Sequence, residues 1–352
     1  METHSAHRMQ LPREVLVGND ILVQVDDICK RLGLKSSVII LTSAHGLQVA
    51  AKYVADFLEE GGFRVSLETV RESDVKSVEE TKREIEKVNA SVVLGVGGGK
   101  VIDVAKLAAS QKKIPFISIP TALSHDGISS SRASIKGLEG PTSIEAEAPI
   151  AIIGDIQVIS KSPYRLTASG CGDIVAKYTA VSDWKLAHKV NGEYYGEYAA
   201  NLALMSAKLV MKQANIIREE GEDGFRVVLE ALISCGVAIS IAGSSRPCSG
   251  SEHLFSHALD IVSPKPVLHG EQCGVGSIMM AYLWKANWKA LKEKLEIIGA
   301  PTTAEELEID AEYIVKALTL AQKIRPERYT ILNVKKMDEK TAKELAQATG
   351  VI

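Results

Sequence analysis

The sequence predicts an α/β amino-terminal domain, built on a doubly wound and mainly parallel sheet, followed by an all-α carboxy-terminal domain. Three observations predict it. From about residue 14 to residue 163, short apolar runs alternate with helical segments of ten to sixteen residues, the pattern of parallel strands joined by crossover helices. Past Pro163 the β signal is nearly absent and long helical periodicities take over. A glycine run, Gly97-Gly98-Gly99, ends one apolar run and opens a helix, as the phosphate-facing turn of such a sheet does. The division falls at residues 1–163 and 164–352, and 352 residues are ample for two cores.

Taken in order, residues 38–41 read as a strand and 45–60 carry helical periodicity, stopped by Gly61 and Gly62. Residues 63–67 are the next strand and 75–88 a polar-faced helix. Residues 91–96 form a short buried strand, 100–109 the helix after the glycine turn, and 114–119 another strand. Residues 129–140 read as a small hairpin or flap and 149–154 as a last strand. Helices are then expected at 168–188, 194–217, 224–242, 250–262, 276–290, 288–298, 311–324 and 338–348, with no internal repeat.

Two constellations carry chemistry. The glycine turn leaves free backbone N–H groups and the positive end of a helix dipole facing one point, which suits an anion such as a pyrophosphate. It departs from the ordinary dinucleotide fingerprint, because counting G-x-G-x-x-G from Gly95 puts Lys100 at the third glycine. The second constellation is His253 and His257, one helical turn apart, followed by His269 sixteen residues past His253 and beside Gly270 and Glu271. Neutral imidazole is the commonest protein ligand for zinc and similar metals. Alone, an H-x-x-x-H pair reads more readily as helix-face or core histidines, and the third histidine beside Gly270 and Glu271 brings the two readings level. The turn lies in the first half and the histidines in the second, so the active site is expected in the cleft between them.

Read together, Gly97 to Gly99 with Asp103, then Pro120-Thr121-Ala122-Leu123-Ser124-His125-Asp126, then Gly170-Cys171-Gly172-Asp173, then the histidines, resemble the metal-dependent polyol dehydrogenases. That superfamily includes glycerol dehydrogenase and dehydroquinate synthase. Within it the chain is most similar to the archaeal-type sn-glycerol-1-phosphate dehydrogenase family, over about residues 10 to 345. The resemblance implies a dehydroquinate synthase-like fold and the NAD(P)-dependent, reversible reduction of dihydroxyacetone phosphate to sn-glycerol 1-phosphate, which supplies the archaeal phospholipid backbone. It implies a homo-oligomer and one divalent metal ion, with zinc expected, held by Asp173, His253 and His269. Two imidazoles and a carboxylate leave such a site a net positive charge and an open position for substrate. Asp126, Asp173 and His257 are then the substrate-contacting and catalytic groups, His257 as a contact or a proton relay. NAD(H) or NADP(H) falls to Gly97, Gly98, Gly99, Lys100, Val101, Ile102, Asp103, Thr121, Ala122, Leu123, Ser124 and Ser130.

Each residue has a plainer reading beside that one. Asp173 also reads as an N-terminal helix carboxylate, Asp126 as an Asx-turn before Gly127, and Asp103 as a cap of its helix. Glu252 and Glu271 read as supports of the histidines or as solvated charges. Arg132, Lys161, Arg165, Arg246 and Lys265 lie near the cleft in sequence, and none stands out as the ligand of a substrate phosphate. Other polyol dehydrogenases and dehydroquinate synthase-like cyclases share the motifs, although the cyclases usually carry Glu where this chain has Asp173. His125 stands where glycerol dehydrogenases tend to carry a small residue. A non-catalytic sensor need not keep both the glycine turn and all three ligands.

Composition sets the remaining expectations. Hydrophobic residues at 46% and charged residues at 24% are those of an ordinary globular protein. A net charge of −3 leaves no basic footprint for nucleic acid. Five cysteines without a C-x-x-C pair argue for reduced thiols, and Cys171 and Cys273 read as buried thiols before ligands. Residues 1–13 are polar, and no apolar run reaches the roughly eighteen residues of a membrane span. A cytoplasmic protein without membrane insertion is expected.

Overall fold

A computed structural model describes residues 7, 9–34, 37–137 and 143–352. Its first elements are β1 (Glu14–Gly18), α1 (Val25–Arg31), β2 (Ser37–Thr42), α2 (Ala44–Gly46), α3 (Lys52–Glu60), β3 (Arg64–Thr69), α4 (Val75–Lys87), β4 (Val92–Gly97), α5 (Gly99–Lys112) and β5 (Phe116–Pro120). Then come β6 (Arg132–Ser134), β7 (Ser143–Glu145), β8 (Ala151–Asp155) and α6 (Ile156–Ile159). The strands other than β6 and β7 make a six-stranded sheet in the order β1-β8-β5-β4-β2-β3, every pairing parallel. Helices cover both faces, as a parallel sheet requires.

Alternation along the strands builds two cores. Ile39 and Leu41 of β2 and Val93 of β4 face α4 and α5, whereas Val38, Ile40, Val92 and Leu94 face α1 and α3. α4 starts where the Asp74 side chain accepts from Ser77 N at 2.8 Å, and it buries Val78, Thr81 and Ile85 along one stripe. The apolar stretch 45–60 is not one regular helix. A π-helical turn over Leu47–Ala51 joins α2 to α3.

The expected flap is a two-stranded antiparallel ribbon, but β6 pairs with β7 rather than turning back by residue 140, and residues 138–142 lie outside the described residues. The bundle that follows is α7 (Tyr164–Asn191), α8 (Glu197–Lys212), α9 (Ala214–Arg218), α10 (Glu222–Ala242), α11 (Ser251–Val262), α12 (His269–Leu283), α13 (Trp288–Ile298), α14 (Ala311–Ile324), α15 (Ile331–Val334) and α16 (Glu339–Ala348).

Two helix starts correct the sequence reading, and both matter to the site. α7 begins at Tyr164 with Pro163 as its N-cap, so Gly170 and Gly172 lie inside it and Asp173 is mid-helix. α12 begins at His269 itself, seven residues earlier than expected. One further helix, α10, bears on the membrane question. By length and composition it could cross a membrane, although Arg226 and Glu230 interrupt it. Two-thirds of its apolar window (67%) is buried inside the molecule, where it packs on α7, α8 and α9. All five cysteines are free and buried.

Candidate active site

The sheet brings the two upstream motifs side by side. β4 and β5 are neighbours, with Gly97 opposite Pro120, and Thr121 N donates to Gly97 O at 3.0 Å. Gly98 is the N-cap of α5, and a Cβ built on it would meet nothing within 4 Å. This open cradle at a helix start is where backbone amides can approach a pyrophosphate. Val101 and Ile102 point into the core, and Lys100 is exposed and paired with Glu72 at 3.1 Å. Asp103 does not cap α5. Its carboxylate accepts from Ser134 N at 3.2 Å and lies 3.5 Å from the buried Lys106 ammonium, which also donates to the Gly127 and Arg132 carbonyls. Asp103 therefore ties the β6 ribbon to α5.

The loop after β5 then crosses to the bundle. Ala122 and Leu123 are buried, and a Cβ on Gly170 would sit 2.1 Å from the Leu123 carbonyl oxygen. Ser124 O accepts from Ser169 Oγ at 3.4 Å. Equally close approaches join α7 to α12: a Cβ on Gly172 would meet Gly270 O at 2.3 Å, and one on Gly270 would meet Ser169 O at 1.8 Å. No other residue type fits these positions without backbone movement. The glycines of the Gly-Cys-Gly-Asp motif exist for this crossing, and the crossing sets Asp173 beside His269.

Asp173, His253, His269 and Cys273 offer ligand atoms that all lie within 4.8 Å of one another. Asp173 Oδ1 is 3.4 Å from His253 Nε2. On its other side His253 Nδ1 lies 2.9 Å from Glu252 Oε1, while Glu252 also accepts from Gly250 N at 2.6 Å and Thr179 Oγ1 at 2.7 Å. A carboxylate behind a ligating imidazole fixes its tautomer and aims the free nitrogen. His269 Nδ1 is 3.0 Å from Ser256 Oγ. The donor set fits a divalent metal: two aimed imidazoles and a carboxylate, Asp173 and His253 buried and His269 half-buried, with Cys273 Sγ 3.6 Å from His269 Nε2.

One group was invisible in the sequence. Lys177, fully buried, places its ammonium 2.5 Å from Asp173 Oδ1 and 2.9 Å from Asp126 Oδ2, and Asp126 N donates to Asp173 Oδ2 at 2.8 Å. Asp126 is thus committed to Lys177 rather than to an Asx-turn. Lys177 stands one turn after Asp173, so its signal was an i,i+4 pair. In sequence such a pair looks like any exposed helical ion pair.

Electrostatics follow from burial and these contacts. Burial opposes the Asp173 charge, but the Lys177 ammonium and His253 hold its carboxyl well below the usual range. Burial likewise opposes protonation of His253, and Cys273, Asp173 and Glu252 outweigh it. His269 is pushed down by burial and then by His253. His257 stacks on His269 with ring centroids 5.9 Å apart and is not part of the ligand group. Burial, with His253, Arg325 and Arg328 nearby, pushes it down to about 3, so it is neutral at physiological pH. His125 accepts from Gly127 N at 2.9 Å and lays its ring against Gly99, edge-on to His269 at 6.5 Å. Glu271 is taken up by Arg165, at 2.5 and 2.8 Å. Asp126, Ser130, His253, His257 and His269 share the lining of one cavity of about 170 Å³.

A glycerol dehydrogenase from Schizosaccharomyces pombe matches this architecture with a TM-score of 0.82 at 20% identity, covering 98% of this chain and 90% of that one. A sulfoacetaldehyde reductase from Bifidobacterium kashiwanohense, solved in complex with NAD+, matches at 0.76 with 19% identity, covering 98% and 99%. A family model described as iron-containing alcohol dehydrogenase matches residues 16–163. The fold is that of the glycerol dehydrogenases and iron-containing alcohol dehydrogenases. Among curated relatives, the glycerol-1-phosphate dehydrogenase [NAD(P)+] of Thermococcus sibiricus is 53% identical over 346 residues, covering 98% of this chain and 99% of the relative. That of Methanothermobacter thermautotrophicus is 50% identical over 345 residues, with coverage of 98% and 99%. The chain belongs to the glycerol-1-phosphate dehydrogenase family.

Proposed function

We propose that the protein catalyses the reversible, NAD(P)-dependent reduction of dihydroxyacetone phosphate to sn-glycerol 1-phosphate, the glycerol backbone of archaeal ether lipids. The observation that carries this reading is the Asp173–His253–His269 group, whose two histidines line a cavity together with Asp126 and His257. Relatives about 50% identical over nearly their whole length bear the same activity in their names.

Asp173, His253 and His269 would hold one divalent metal, with zinc the ion this donor set suits best. When bound, the metal supplies Lewis-acid charge for the carbonyl oxygen and the nicotinamide supplies a hydride to the carbonyl carbon. The chain's own residues do the rest. Gly97 to Gly99 and the amides that open α5 hold the pyrophosphate, while Thr121, Ala122, Leu123, Ser124 and Ser130 flank the cofactor. Lys177 pairs with both Asp126 and Asp173 and holds the two carboxylates in place, so that Asp126 can accept from a substrate hydroxyl while Asp173 faces the metal. His257, neutral, offers one ring N–H and one acceptor to the substrate oxygen, orienting the carbonyl and passing the proton that reduction consumes. Burial of the cluster excludes bulk water.

Residues 1–163 form the nucleotide-binding domain and 164–352 the metal- and substrate-binding one, with the protein working as a cytoplasmic homo-oligomer that engages neither nucleic acid nor membrane. The test offers metal-loaded protein NADH or NADPH with dihydroxyacetone phosphate, dihydroxyacetone or glycerol as partner. Dihydroxyacetone phosphate is expected to be preferred and sn-glycerol 1-phosphate to be formed. Chiral analysis showing mainly sn-glycerol 3-phosphate overturns the reading.

A further inference from the structure

A phosphorylated triose needs a cation for its phosphate, and the structure disposes of most candidates. Arg165 forks onto Glu271, Arg246 is committed to Glu193 and to the Tyr329 carbonyl at 3.1 Å, and Lys265 reaches Glu308 at 3.1 Å. Lys161 is exposed and lies outside the cavity lining. Arg132 does line the cavity, its guanidinium resting on Ser143 O at 2.8 Å.

A sixth cation, absent from the sequence shortlist, lines the cavity too. Arg325 ends α14 and keeps only 8% of its surface exposed. Its Nε is buried without a hydrogen-bond partner, and among the described residues its guanidinium makes no ion pair. Its neighbour Arg328 differs, being spent on the Ser249 carbonyl and, at 2.9 Å, on Ser245 Oγ. An uncompensated buried charge is strongly unfavourable. Folding tolerates such a cost where a ligand supplies the missing partner. Arg132 and Arg325 both line this cavity, and burial, then the like charge of Arg132, hold Arg325 below its usual range against the opposing pull of Glu327. His257 lines the same cavity as Arg325 and stacks on His269 of the ligand group, so the cavity joins this cation to the ligand group.

We propose that Arg325, assisted by Arg132, forms the subsite for the substrate's phosphate, holding that dianion at one end of the cavity while the carbonyl lies at the metal-ligand end. The inference rests on the reading of the substrate as dihydroxyacetone phosphate. A guanidinium fork matches phosphate oxygens with paired, charge-assisted hydrogen bonds, which an ammonium cannot reproduce.

The test compares kcat/KM for dihydroxyacetone phosphate and for dihydroxyacetone in the wild type, Arg325→Met, Arg325→Lys and Arg132→Met. If the wild type shows no preference for the phosphorylated triose, the substrate reading itself fails. If it does, Arg325→Met should cut that preference about a hundredfold, the usual scale for truncating one member of a buried charge pair, and Arg325→Lys should restore part of it. Equal losses on both substrates make Arg325 merely structural and overturn the proposal. A loss confined to NADPH, with the triose preference intact, assigns the pair to the cofactor's 2′-phosphate and overturns it as well. Thermal melts with inorganic phosphate give a second reading: phosphate should raise Tm in the wild type and not in Arg325→Met. Should the Met variant fail to fold, the same ratios in Arg325→Lys and Arg132→Met decide, and an unchanged preference in both refutes the subsite.

Discussion

At the scale of single residues, the site is a set of charges each held by a named partner. His253 is aimed by Glu252, Asp173 is kept ionised by Lys177, and Cys273 stands close enough to compete as a ligand. The thiol's own environment decides against it. Burial raises the Cys273 thiol above its ordinary range despite His253 beside it, so it stays protonated until something displaces the proton. Replacing His253 with Ala should therefore remove bound metal and activity together, whereas Cys273→Ala should keep a full metal complement. Metal analysis of the two purified variants checks this, and metal lost from the cysteine variant alone would reverse the assignment. The histidines were legible because three of them crowd into seventeen residues. Lys177 and Arg325 were not, because a buried lysine or arginine looks in sequence like any surface charge. Only the packing around it reveals that it has been taken out of water.

At the scale of elements, the glycines divide into two kinds that the sequence could not separate. Gly170, Gly172 and Gly270 are packing glycines whose Cβ would strike a facing carbonyl. Gly270 made α12 look as though it started late, since glycine weakens a helix unless a close approach repays it. Gly98 is of the other kind. Its φ of −80° and ψ of −176° suit any residue, and its Cβ would enter open space. Gly98→Val should then fold with a stability change within about 0.5 kcal/mol, as for other unconstrained surface sites. The branched side chain would occupy the pyrophosphate's place, and the NADH dissociation constant should rise about 100-fold, equivalent to about 2.7 kcal/mol. Fluorescence titration with NADH and metal analysis on the same sample test the pairing. Unaltered cofactor affinity would make the turn a structural device only. Strand positions were read within two or three residues because parallel strands buried on both faces are near-continuous apolar runs. β1 and α1 escaped individual notice because β1 is a half-exposed edge strand and α1 has only seven residues.

At the scale of the whole molecule, the change of composition after Pro163 describes the chain better than it describes the core. One continuous apolar cluster runs from Ile39 and Leu41 of the sheet through α4 and α5 into α7, α10, α12 and α16. The cluster on the sheet's other face is built from alternate residues of the same strands, so neither face can melt while the other stays ordered. All three proposed metal ligands belong to α7, α11 and α12. If the halves were independent, a chelator would destabilise the helical half and leave the sheet's melting untouched. A shared core demands otherwise. Calorimetry should show one transition, and chelation should move all of it downward. Binding linkage sets the scale at about 4 kcal/mol for a metal held at a thousand times its dissociation constant. Two resolved transitions, with only one shifting on chelation, would show that the halves unfold separately. The cofactor gives an independent reading of the same coupling, because its cradle lies at the junction of β4 and α5. NADH added to metal-free protein should raise that single transition as a whole, although no metal ligand belongs to the element it binds.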